Sequence, residues 1–148
     1  MNEIISDIKY ISRELNIPQD RLEYIMSYIM QMIEDYNGSV IDIIKEIPLN
    51  LKDKERYFAM FTVGNSFALS FYIMKEEDKE DFMTNIINVT KLNKERTDRI
   101  ADYMMNKILK DFDKNTPIDM IKIITNETFT DSEKDYILFT LGLVLIKT

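Results

Sequence analysis

Tyr57-Phe-Ala-Met-Phe-Thr-Val-Gly-Asn-Ser-Phe-Ala-Leu-Ser-Phe-Tyr-Ile-Met74 runs for 18 residues without a charge. That touches the lower length limit of a membrane-spanning helix. Yet Thr62, Gly64, Asn65, Ser66 and Ser70 lie inside it and charges crowd both ends. A helix that is apolar on nearly all sides must be covered somewhere, and here other helices are the natural cover. The stretch therefore predicts a buried central helix over 52–74 and no membrane association.

The flanking sequence is helical in period. Ile4, Ile8, Ile11 and Leu15 recur at steps of 4, 3 and 4, and Leu22, Ile25, Ile29, Met32 and Tyr36 at 3, 4, 3 and 4. No alternation of polar and apolar residues persists over a strand length, and three Gly and three Pro supply too few turns for a β-meander. Helix starts carry chemical signals. Ser39-Val-Ile-Asp42, Thr116-Pro-Ile-Asp119 and Thr130-Asp-Ser-Glu133 each place a capping hydroxyl three residues before a carboxylate, the second with Pro117 at the first helical position. The expected helices are 3–14, 18–36, 40–47, 52–74, 79–91, 95–112, 117–125 and 131–146, with a charged link at 75–79.

That list is a pattern of four helices stated twice. Without gaps, 40–47 and 117–124 share Ile41/Ile118, Asp42/Asp119, Ile44/Ile121, Lys45/Lys122 and Ile47/Ile124. Segments 52–64 and 130–142 share Asp53/Asp131, Glu55/Glu133, Phe61/Phe139, Thr62/Thr140 and Gly64/Gly142, and 22–33 and 97–108 share Ile25/Ile100, Tyr28/Tyr103, Met30/Met105 and Ile33/Ile108. Fourteen of 33 positions agree, where average residue usage gives about 2 by chance. The offset drifts only from 75 to 78, as an internal duplication requires. The expectation is one all-α domain over 1–148, made of tandem four-helix repeats at 1–75 and 76–148 about an internal pseudo-twofold axis. Phe61-Thr62-Val-Gly64 and Phe139-Thr140-Leu-Gly142 lie in the two most apolar helices, where glycine costs about 1 kcal/mol relative to alanine. A cost taken twice at matching places suggests that these helices cross at Gly64 and Gly142.

Composition removes whole classes of chemistry. The 148 residues include no Cys, His or Trp, which excludes catalytic thiols, Ser-His-Asp triads, His or Cys zinc sites, haem and iron–sulfur ligation. Gly38, Gly64 and Gly142 are isolated, so no glycine-rich phosphate loop exists. Net charge is −7, and neither half attracts a phosphate backbone. The basic run Lys91, Lys94, Arg96 and Arg99 is interleaved with Glu95 and Asp98 and reads as a solvated helix face. Residues 1–15 carry scattered acids and lack the apolar run of a secretory leader. Together with the absence of Cys this predicts the cytoplasm.

The candidate sites all have plainer readings. An acidic, methionine-bearing chain of two halves prompts a test for EF-hand loops. Asp111-x-Asp113-x-Asn115 is followed by Thr116 where glycine is needed, and Asp35-x-Asn37-x-Ser39 by Val40, so neither loop is expected to hold calcium. The carboxylates at Asp42/Asp119, Asp53/Asp131 and Glu55/Glu133 recur in both halves. They read as first-turn caps that suit the helix dipole rather than as an acid–base pair or a metal centre. No catalytic, cofactor-binding or metal-binding residue is expected. Ile11 to Ile25 resembles a DNA-binding helix-turn-helix in its apolar spacing, although its second helix opens with Gln19, Asp20, Arg21 and Glu23. Ten Met, eight Phe and eight Tyr make either a core or an adaptable apolar surface. The expected function is a non-catalytic interaction or scaffold module that self-associates or takes a helical protein partner. The alternative is an acidic DNA-binding regulator using the 11–25 corner, although nucleic acid is not the expected partner.

Overall fold

The computed structural model describes residues 2–107 and 129–144, and these form eight helices and no strand. They are α1 (Asn2–Glu14), α2 (Gln19–Asp35), α3 (Val40–Asn50), α4 (Asp53–Ser66), α5 (Ala68–Tyr72), α6 (Glu76–Val89), α7 (Lys94–Lys107) and α8 (Asp131–Val144). The expected helix 117–125 lies outside the described residues, as do Thr116, Asp119 and the Asp111 loop.

Helix α2 shows how the apolar period becomes packing. Leu22, Ile25, Ile29 and Met32 follow one another at 3, 4 and 3 residues, line one face, and are its buried residues. Helix α3 buries Val40, Ile43, Ile44 and Ile47 in the same way. It runs three residues past its expected end and carries Pro48 inside it, at the loss of one backbone hydrogen bond. Turns close with left-handed residues. Asn16 (φ 58°) ends α1 with Ile17 N–H donating to Ser12 O at 2.9 Å and Asn16 N–H to Arg13 O at 3.0 Å. Lys91 (φ 62°) ends α6 identically, through Leu92 N–H to Ile87 O at 3.1 Å and Lys91 N–H to Asn88 O at 3.1 Å. Both are Schellman closures, which satisfy carbonyls that the helix leaves without partners.

The expected helix 52–74 is two helices. Ser66 Oγ donates to Thr62 O at 2.9 Å, a side-chain competition that bends helices, and the chain breaks at Phe67 (φ −101°, ψ 3°). Only the first part is enclosed. Seven consecutive residues, Phe58 to Gly64, are buried in α4, whereas Leu69, Tyr72 and Ile73 beyond the break are 66%, 69% and 74% exposed. The expected link 75–79 is also shorter than read. Helix α6 begins at Glu76, and Glu76, Glu77 and Asp78 place three carboxylates in its first turn, favourable to the helix dipole.

Helix α4 packs against α1, α2, α3, α5 and α8, and its contact with α8 is the most extensive among the described residues. Gly64 and Gly142 meet at that crossing. A Cβ on Gly64 would come within 3.0 Å of the Phe139 carbonyl oxygen, and one on Gly142 would do the same to the Phe61 carbonyl oxygen. The missing side chains bring the backbones together. Phe58, Met60, Phe61, Tyr136, Leu138 and Phe139 then join the same buried cluster as Ile25, Ile29, Ile43 and Ile47.

Candidate functional site

Three arginine forks tie this core together. Arg21 on α2 holds Glu55 on α4, with Nε to Oε2 at 2.9 Å and Nη2 to Oε1 at 2.8 Å. Arg96 on α7 holds Glu133 on α8, with Nε to Oε2 at 3.0 Å and Nη2 to Oε1 at 3.1 Å. Arg56 on α4 crosses to Asp135 on α8, with Nε to Oδ1 at 2.9 Å and Nη2 to Oδ2 at 2.5 Å. A planar guanidinium matches a carboxylate in this two-bond arrangement, which fixes angle as well as distance.

Environment separates the three carboxylates. Hydrogen bonds from Arg21 hold Glu55 below the usual glutamate range, against a smaller opposing effect of burial. Burial is the largest influence on Glu133 and acts upward. The Thr130 N–H, Arg96 and the Thr130 hydroxyl together outweigh it and bring Glu133 below its usual value. For Asp135 burial prevails over Arg56 and pushes the carboxyl up. Each of these carboxylates spends both oxygens on an arginine. The arrangement is suited to holding helices in register, and among the described residues no group of three acidic, His or Cys side chains is placed to hold a metal ion.

The capping signals have different outcomes. At Thr130 the reciprocal box is made, Glu133 N–H donating to Thr130 Oγ1 at 3.2 Å and Thr130 N–H to Glu133 Oε1 at 3.0 Å. At Ser39 it is not. Ser39 occupies the cap position of α3 without a side-chain bond, and Asp42 is exposed in the first turn. The backbone bonds there are Ser39 N–H to Tyr36 O at 3.0 Å, which belongs to the preceding turn, and Ile43 N–H to Ser39 O at 3.2 Å, the first bond of the helix itself. Glu133 is more than a cap, since the same oxygens serve Arg96. Thr62 and Thr140 lie beside the glycine crossing with buried hydroxyls that find no partner among the described residues.

The helix-turn-helix-like corner is the α1–α2 junction. Its Arg21 is engaged by Glu55 and covered by the Tyr24 ring, 4.6 Å from the guanidinium carbon to the ring centroid. Lys9, Arg13 and Gln19 line a shallow cleft beside it. A second cleft, of about 370 Å³, lies where α7 meets the start of α8 and is lined by Asn93, Arg96, Arg99, Tyr103, Phe129 and Glu133. Sequence reasoning missed the Arg56–Asp135 pair because Asp135 is a lone acid followed by an apolar run. No helix among the described residues is long and apolar enough to cross a membrane.

The chain matches no protein-family model, no curated protein and no solved structure.

Proposed function

We propose that this chain is a non-catalytic helical interaction module of the cytoplasm that self-associates, built from tandem repeats at 1–75 and 76–148 about an internal pseudo-twofold axis. The observation that carries the interaction reading is the apolar surface at α5. Leu69, Tyr72 and Ile73 are each about two-thirds or more exposed within five residues, and clustered apolar side chains of this size mark association surfaces more often than chance exposure.

The repeat reading is supported by contacts that exchange between α4 and α8. Gly64 lies against Phe139 and Gly142 against Phe61. Arg56 reaches Asp135, and Lys134 stands over the Tyr57 ring at 5.3 Å. In both cases each residue's counterpart, 78 positions along, makes the complementary contact, which is the pattern of a self-complementary, twofold interface. The Arg21–Glu55 and Arg96–Glu133 forks and the Asn16 and Lys91 closures correspond as contacts made within each half, at offsets of 75 and 78. The DNA-binding reading has less support, because Glu55 neutralises Arg21.

Light scattering across a concentration series tests association. The expected result is a mass above the monomer that rises with concentration and returns to the monomer in Leu69→Glu/Ile73→Glu. A wild-type chain that stays monomeric, or a double variant that associates unchanged, removes the proposal. The same preparations passed over immobilised duplex DNA at low salt should show no retention sensitive to Arg21→Glu.

A further inference from the structure

Asn37-Gly38 is the only asparagine–glycine pair in the chain, and the fold places it in the turn between α2 and α3. Asn37 is exposed, and a Cβ on Gly38 would meet nothing within 4 Å, so solvent reaches the peptide link between them. Glycine matters here for its chemistry. With no side chain at position 38, nothing shields its backbone nitrogen from the neighbouring Asn37 carboxamide. Asn16, Asn50, Asn85 and Asn88 are followed by Ile17, Leu51, Ile86 and Val89, whose bulk denies that access. Asn65 precedes the small Ser66, but it lies inside α4 and its amide donates to Gly142 O at 3.2 Å.

The turn's hydrogen bonds oppose the reaction that this pair invites. Asn37 (φ 50°) and Gly38 (φ 77°) are both left-handed. Asn37 N–H donates to Glu34 O at 3.1 Å, Gly38 N–H to Ile33 O at 2.8 Å and Ser39 N–H to Tyr36 O at 3.0 Å. The Gly38 nitrogen is thus engaged in closing α2, and it becomes a nucleophile only when the turn opens. The chain is anchored on both sides, since Met32 before the turn and Val40 after it are buried.

We propose that Asn37 is a site of spontaneous deamidation, gated by opening of the α2–α3 turn, and that its isoaspartate product loosens α3. The Gly38 nitrogen gives its proton to a solvent base and bonds to Asn37 Cγ. The Cγ–Nδ2 bond breaks and the amide nitrogen leaves as ammonia. Water then adds to either carbonyl of the resulting succinimide ring, and nothing is oxidised or reduced. One opening leaves an aspartate in the original chain, which a left-handed position accepts. The other leaves an isoaspartate, in which the main chain runs through Cγ and is one methylene longer. With Met32 and Val40 anchored, keeping the closing bonds then shifts α3, and keeping α3 in place breaks them.

The test incubates the full chain at mildly alkaline pH, folded and in concentrated urea, and follows each asparagine-bearing peptide by mass spectrometry. In urea the mass increment of an amide-to-acid exchange is expected first at Asn37. The folded chain should gain it at Asn37 about tenfold or more slowly, because three hydrogen bonds are given up to open the turn. Gly38→Ala should slow the reaction in urea, where the strain of its left-handed position is absent. The isoaspartate form, separated by chromatography, should have a lower urea midpoint than Asn37→Asp, which carries the same charge on a chain of unchanged length. A folded chain that never gains mass at Asn37, equal rates folded and unfolded, an earlier gain elsewhere in urea, a Gly38→Ala chain that reacts unslowed, or an isoaspartate form as stable as Asn37→Asp each overturns the proposal.

Discussion

Gly64 and Gly142 are the residues on which the α4–α8 approach depends. An alanine at Gly64 gains helix propensity, but its methyl carbon must enter space held by the Phe139 carbonyl and the Leu143 amide nitrogen, both of them backbone. Neither neighbour can rotate away, so the helices must separate. Gly64→Ala and Gly142→Ala are each expected to lower stability by about 3 kcal/mol, the upper part of the overpacking range, as read from urea denaturation midpoints. Alanine at exposed Ser70 should change little by comparison. The glycines were legible in the sequence because they recur within a matched Phe-Thr-x-Gly. Asp135 was not legible, since a lone acid beside an apolar run has no period to betray it. Ser39 misled for a related reason. A capping box specifies which bonds are available, and at Ser39 the side-chain bond is not made.

At the scale of elements, α4 and α8 are held by one buried ion pair on one side of the crossing and a cation over a ring on the other. Asp135 is almost wholly enclosed, its side chain 7% exposed beside Arg56 at 17%. Removing the arginine leaves a buried carboxylate without its partner, which costs about 3–5 kcal/mol in comparable sites. Arg56→Met is thus expected to destabilise by about 3 kcal/mol in urea unfolding, and Asp135→Asn by less, because the amide still accepts one bond. Tyr57→Asp alone should destabilise. Combining it with Lys134→Arg builds a second Arg–Asp fork across α4 and α8 and should recover most of the loss, which a double-mutant cycle will measure as a coupling. Helix identities followed from apolar period, yet the break at Phe67 did not. The polar residues Thr62, Gly64, Asn65, Ser66 and Ser70 lie in the uncharged run from Tyr57 to Met74 without marking where it breaks, and at the break the Ser66 hydroxyl donates to the Thr62 carbonyl.

For the whole molecule, acid is the condition that tests the forks. Glu55 and Glu133 sit below the ordinary glutamate value of 4.5, so the unfolded chain binds protons more readily than the fold does as pH falls past it. Their contribution is fully present above that value and lost as pH drops through their folded values. Asp135 acts in the opposite sense. Its raised carboxyl favours the fold below the unfolded value of 3.8 and loses that contribution as pH rises through its folded value. Urea midpoints measured from pH 7 down to pH 3 should therefore fall below about pH 4.5, and Glu133→Gln should flatten that limb; a limb of unchanged slope would remove Glu133 as its source. The sequence by itself determined that the chain is helical and where the apolar faces lie, because period is a local property of a chain. Only the tertiary structure decided that Arg21 and Arg96 meet Glu55 and Glu133, that Asp135 is buried against Arg56, and that α5 leaves Leu69, Tyr72 and Ile73 in solvent. Those outcomes depend on which helix faces come to rest against each other, and a side chain's partners and burial are set by that packing.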